Sequence, residues 1–154
     1  MATPSPDLWY NFIRAHRCLI KEIERRLAEE QLPPYDWYDA LWGIESGQHG
    51  ARRMHELADV MAIERYNLTR LVDRLEKEGL VTREKSLDDG RGAIARITEA
   101  GRVLRKQIWQ VYKQAVEELF LVEFDEEQKR LFAAALENAS RNARQSRKTS
   151  QTNR

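Results

Sequence analysis

The chain has 154 residues, enough for one domain or for a small domain with appended helices, and too few for two full domains. Hydrophobic residues make up 42% and charged ones 33%. That balance suits helices that each keep one solvated face, and no apolar run approaches the roughly 20 residues that span a bilayer. A formal net charge of +1 excludes a bulk polycation, so any nucleic-acid contact has to come from where the charges sit.

The opening MATPSPDLWYNF has neither the basic start nor the apolar run of a secretory signal, and a cytoplasmic protein without membrane partners is expected. The single cysteine, Cys18, excludes an internal disulfide framework and suits a reducing compartment. From Leu8 to Leu27 apolar residues recur at steps of three and four (Leu8, Trp9, Phe12, Ile13, Leu19, Ile20, Ile23, Leu27), which predicts an amphipathic helix with Asp7 as its N-cap. Pro33 and Pro34 end it. A second helix is expected over Asp36–Ser46, with Trp37, Leu41 and Ile44 on one face, followed by a loop from Gly47 to Gly50.

Two short helical patterns come next. Met54–Met61 puts Leu57, Val60 and Met61 inward, and Arg65–Glu78 puts Leu68, Leu71, Val72 and Leu75 inward. Only Ala62, Ile63 and Glu64 separate them, the link length of a helix-turn-helix. Gly79 stands where a left-handed C-cap is needed. The period then changes: Leu80–Glu84 and Ala93–Ile97 read as two antiparallel strands around the loop SLDDGRGAI. Together these elements predict a mainly α fold with a small β-hairpin wing, a winged helix-turn-helix.

Thr98 is placed to cap a long helix running to about Val122, and Asp125 with Gln128 forms a capping box for a last helix through about Asn142. The polar, basic tail from Arg144 is expected to be disordered. The organisation expected is an N-terminal dimerisation helix (1–32), a winged lobe (33–100), C-terminal dimerisation helices (101–143) and the tail (144–154). The terminal helices carry more apolar surface than a small winged lobe could cover, so a homodimer is expected.

Candidate chemistry gathers on the second helix of the helix-turn-helix. With its apolar residues buried, Arg65, Tyr66, Asn67, Thr69, Arg70 and Arg74 face outward among other polar residues. A recognition helix reads bases mainly with its N-terminal turns. Arginine matches the two acceptors of guanine and asparagine the donor and acceptor of adenine, while Thr69 and Arg74 suit phosphates. In the loop, Asp88 and Asp89 are too few oxygen ligands for calcium, and Arg91 would repel the cation. A bare turn gives Arg91 no use. An arginine on such a tip can enter the minor groove, with Asp89 limiting its wandering through a charge-assisted bond.

The run RMHELADVMAIERYNLTRLVDRLEKEGLVTRE, followed by DDGRGAIARITEAG, resembles the MarR family of transcriptional regulators. The resemblance implies triangular homodimers whose terminal helices form the interface and whose two winged lobes grip pseudo-palindromic double-stranded DNA, generally repressing nearby genes without enzymatic activity or a cofactor. The family's Asp-x-Arg wing motif maps onto Asp89 and Arg91. Its recognition contacts map onto the run from Arg65 to Arg70. Two positions depart from the pattern: Glu64 replaces the usual serine at the helix start, and bulky Tyr66 replaces a small residue, so a different base preference is expected.

The resemblance also implies an aromatic or phenolic effector in a cleft that would draw on Phe12, His16, Trp37, Tyr38 and Leu41, a set that combines an apolar lining with polar groups. A redox role for Cys18 is the alternative, since its neighbours His16, Arg17 and Lys21 are basic. His16, Cys18, His49 and His55 show no metal-ligand spacing. The rival reading of the whole chain is a winged-helix module that binds a protein with the same surface. Salt dependence separates the two, because only DNA binding releases counterions.

Overall fold

The computed structural model describes residues 4–86 and 92–152. Among them run α1 (Pro4–Glu29), α2 (Tyr35–Glu45), a single 3-10 turn at Gln48–Gly50, β1 (Ala51–Arg53), α3 (Met54–Met61), α4 (Arg65–Lys77), β2 (Val81–Lys85), β3 (Ala93–Ile97), α5 (Glu99–Leu119), a second short 3-10 turn, and α6 (Glu126–Thr152). No described helix is long and apolar enough to cross a membrane. The chain divides into two compact units, Met1–Ala115 and Val116–Arg154.

The core of the first unit is built where the helical and strand periods converge. Leu41 and Ile44 of α2, Leu57 of α3, Leu68, Val72 and Leu75 of α4, and Val81 and Ala95 of the hairpin are all essentially inaccessible and form one cluster. Each such leucine buried contributes about 2 kcal/mol relative to exposure. Ile23 and Leu27 of α1 are buried as well, and α1 packs on α2. Val60 departs from the expected pattern. It is 55% exposed, because α3 is only eight residues long and its inward arc is filled by Leu57, Ala58 and Met61.

Three strands form an antiparallel sheet in the order β1-β3-β2. Val81 pairs with Ile97 and Lys85 with Ala93, while Ala51 pairs with Arg96. β1 has no counterpart in the sequence reading, since three residues carry too little periodicity to announce a strand.

The joints between elements follow the expected caps, with two exceptions. Gly79 adopts φ +75°, and the amides of Gly79 and Leu80 return to the carbonyls of Glu76 and Leu75 at 2.9 Å each. This left-handed termination is strain-free only for glycine. The Thr98 hydroxyl accepts from the Gly101 amide at 3.1 Å and donates to the Gly79 carbonyl at 2.7 Å, so one side chain both caps α5 and ties it to the end of α4. Asp125 and Gln128 form the reciprocal capping box at 2.8 and 3.0 Å. Asp7, expected as an N-cap, lies instead inside the first turn of α1, where a carboxylate still favours the positive helix end. Glu64 precedes α4 without a side-chain capping bond.

The second unit holds a ring cluster of Phe120, Phe124 and Phe132, with Phe124 stacked on Phe132 at 5.4 Å. The tail corrects the sequence reading: α6 continues through residues 144–152 that were expected to be disordered. Polarity argued for disorder, but Ala139, Arg141, Ala143, Arg144, Gln145, Arg147 and Lys148 are strong helix formers. Arg141 also pairs with Glu137 one turn back, as helical neighbours of opposite charge do.

Candidate nucleic-acid interface

α4 has the strongly two-sided character expected of a helix that docks one face and offers the other. Leu68, Leu71, Val72 and Leu75 are buried, and Arg65, Tyr66, Asn67, Thr69, Arg70 and Arg74 are all exposed. All six predicted residues therefore share the outer surface of one helix, with Arg65 to Arg70 in its first two turns. α3 meets α4 through a left-handed Ala62 at φ +56°, which turns the chain sharply enough for both short helices to reach the same core.

The electrostatics of this face depend on a residue outside it. Asp73 and Glu76 lie on the flank of α4, and Arg83 of β2 pairs with both. The Arg83 amide also donates to Glu76 at 2.9 Å. These hydrogen bonds from Arg83 hold the Glu76 carboxyl below its ordinary pKa. The acids are thus neutralised from behind. By contrast, among the described residues Arg65, Arg70 and Arg74 have no carboxylate partner, and Arg70 rests over the Tyr66 ring, its guanidinium carbon 5.6 Å from the centroid. The outer face of α4 is therefore positive on a molecule whose net charge is close to zero.

The Thr69 hydroxyl donates to the Arg65 carbonyl one turn back at 2.9 Å, a bond common for threonine within a helix. Arg83 was not identified from the sequence. Its signal, a basic residue on a strand that follows an acidic helical flank, acquires meaning only once β2 lies beside α4.

Asp89 and Arg91 lie outside the described residues. The described root of the hairpin is closed by the Ser86 amide and the Gly92 carbonyl, 3.5 Å apart, and Arg53 donates to the buried Ser86 hydroxyl at 3.0 Å.

The residues expected to line an effector cleft lie on α1 and α2. Leu41 is fully buried in the core. Tyr38 is 8% exposed and stacks on Trp109 at 5.6 Å, within a cluster completed by Tyr35 and Tyr112. Trp37 packs partly buried against the core, Phe12 lies 6.0 Å from Trp9, and His16 is exposed. Burial pushes the Tyr35 phenol far above its usual range and raises the Asp39 carboxyl. Tyr35, Trp109 and Tyr112 were missed in the sequence: each i, i+3 aromatic pair is visible there, but not that the two pairs meet. Beside them, Glu45 of α2 binds Arg102 and Arg105 of α5, and the Arg105 guanidinium lies over the Trp42 ring.

Cys18 is exposed. No group of three or more His, Cys, Asp or Glu able to hold a metal occurs among the described residues.

A helix-turn-helix joined to a three-stranded antiparallel sheet defines the winged-helix class of folds. Residues 45–92 match the model of the MarR family. Along 62 residues the chain is 32% identical to the uncharacterized HTH-type transcriptional regulator YfiV of Bacillus subtilis strain 168, a match taking in 40% of this chain and 39% of that protein. The structure of Sco3205, a MarR family transcriptional regulator from Streptomyces coelicolor solved in complex with DNA, is similar at TM-score 0.84 and 25% identity, covering 93% of both chains. CouR from Rhodococcus jostii RHA1, solved bound to p-coumaroyl-CoA, is similar in fold at TM-score 0.78 and 21% identity, over 91% of this chain and 96% of that one. Residues 45–92 thus carry the sequence pattern of the MarR family, and the fold is similar to that of MarR family transcriptional regulators of known structure.

Proposed function

We propose that the protein acts as a homodimeric repressor that binds a pseudo-palindromic duplex. Arg65, Tyr66, Asn67 and Arg70 enter the major groove, Arg74 meets phosphate, and Arg91, positioned by Asp89, enters the adjacent minor groove. Thr69, like Arg74, meets phosphate at the same interface, its hydroxyl turning from the Arg65 carbonyl. The observation that carries the reading is the charge arrangement of α4: Arg83 absorbs Asp73 and Glu76, while the outward arginines have no carboxylate of their own. A basic helix with its acids neutralised from behind suits a polyanion in register with its first turns. That the similar Sco3205 was solved in complex with DNA supports a DNA partner.

Release by a small aromatic or phenolic effector completes the proposal. The p-coumaroyl-CoA complex of CouR supports that ligand class. Phe12, His16 and Trp37 remain candidate contacts, and Tyr38 would take part through the ring cluster of Tyr35, Trp109 and Tyr112. Titrating phenolic acids and their thioesters against the protein–DNA complex, with tryptophan fluorescence as a second readout, tests this part; DNA retained throughout removes it.

The DNA reading is tested by anisotropy on duplex DNA across a salt series. The logarithm of affinity should fall linearly with the logarithm of salt, and Arg74→Ala should reduce the slope by about one phosphate's share. Arg91→Ala should weaken binding across many sequences, and Asn67→Ala should relax base preference. A salt-independent response would replace DNA by a protein partner on the same face.

A further inference from the structure

Tyr66 stands out on α4 as a large apolar side chain left 70% exposed. It sits at the second position of the helix, and Arg70 lies one turn later on the same ridge. The Arg70 guanidinium carbon lies over the ring, 5.6 Å from its centroid and within cation–π range. A cation–π contact need not use the N–H donors of the guanidinium, which leaves them to bond outward.

Resting on the DNA-binding reading above, we infer that the Tyr66–Arg70 pair reads a thymine–guanine step, 5′-TG-3′, in each half-site. Guanine alone presents two acceptors, O6 and N7, side by side in the major groove, and these match the in-plane donors of one arginine. Thymine alone adds a methyl group to the major-groove edge, and an apolar surface is what that methyl requires. Ring and guanidinium lie 5.6 Å apart, close enough to address neighbouring bases, which are stacked about 3.4 Å apart. The pyrimidine–purine step is also among the most easily deformed, which helps a bulky ring to fit. A small residue in place of Tyr66 would supply neither the ring contact to Arg70 nor the methyl-binding surface.

The full-length protein is used to enrich duplexes from a randomised pool. The expected result is a TG step at a fixed position in each half-site. In the enriched site, replacing that thymine by deoxyuridine removes the methyl, and replacing the guanine by 7-deazaguanine removes N7. Each should weaken binding roughly fivefold or more. Tyr66→Ala and Arg70→Lys should lose the preference at this step while still binding DNA in low salt, and Tyr66→Phe should restore what Tyr66→Ala loses. An enriched site without the step, or a preference that survives Tyr66→Ala, overturns the inference. A pool with no enrichment at any salt concentration overturns the DNA-binding reading beneath it, and the inference with it.

Discussion

Arg83 decides the sign of the surface that α4 offers. Without it, Asp73 and Glu76 would stand as free carboxylates beside the arginines that meet phosphate, and their repulsion would oppose binding over a Debye length of about 10 Å at 0.1 M salt. Arg83→Gln should weaken duplex affinity by about tenfold at low salt, with the defect shrinking as salt rises, since screening removes repulsion as it removes attraction. The check is the same anisotropy series with helicity followed in parallel. A salt-insensitive loss would mean that Arg83 supports the fold and not the field. The exposed side of α4 was legible in the sequence because residues three and four apart are fixed neighbours on a helix. The Arg83 pairs were not, because they join residues of different elements whose meeting depends on the packing of β2 against α4.

At the scale of elements, two joints carry most of the consequence. An added Cβ on Gly101 would come within 2.2 Å of the Leu80 carbonyl oxygen, a contact with backbone that cannot move aside cheaply. Gly101→Ala should therefore destabilise the first unit by roughly 2 kcal/mol, measured by urea unfolding, although alanine is the better helix former. The second joint is the ion cluster between α2 and α5. Burial would push the Glu45 pKa up, but the hydrogen bonds and charges of Arg105 and Arg102 outweigh it, and the carboxyl titrates below its ordinary value of 4.5. Its contribution is present in full above the unfolded value and is lost as pH falls through the lowered folded one. Stability should thus decline on acidification below about pH 4.5. Glu45→Gln should cost roughly 3 kcal/mol near neutrality by stranding Arg105 in a half-buried site, and should flatten the acid limb of the stability profile. An unchanged limb would remove Glu45 from the linkage.

For the whole molecule, the exposed apolar residues bear on assembly. Leu8, Trp9 and Tyr10 of α1 are 58–66% exposed, and Val122 and Leu131 of the second unit are 68% and 54% exposed. Large side chains left this open in a single chain are the material of a subunit interface. The proposed dimer should appear in sedimentation at micromolar concentration, and its unfolding midpoint should rise with protein concentration, as mass action requires. Leu131→Asp should shift the population toward monomer and weaken binding to a two-half-site duplex far more than to a single half-site. Equal losses on both duplexes would separate this residue from assembly.

Most features set by contacts within one turn of chain were legible in the residues. Helical periodicity placed α3 and α4, the three-residue link made them a helix-turn-helix, Gly79 ended the second helix, and Thr98 and the Asp125–Gln128 pair marked later helix starts, because caps and periods act within one turn of chain. Where local signals conflicted, polarity gave the wrong weight at the basic tail, which α6 takes in through good helix formers. Tertiary structure alone decided the rest. β1 exists because β3, more than 40 residues later, supplies its hydrogen-bond partners; Val60 is exposed because its neighbours fill the core; Leu41 is sealed inside that core; and Tyr38 is closed in by rings from α5. Arg83 silences two carboxylates from another strand. Each of these is a pairing between residues distant in sequence, which a linear reading cannot enumerate and which packing selects.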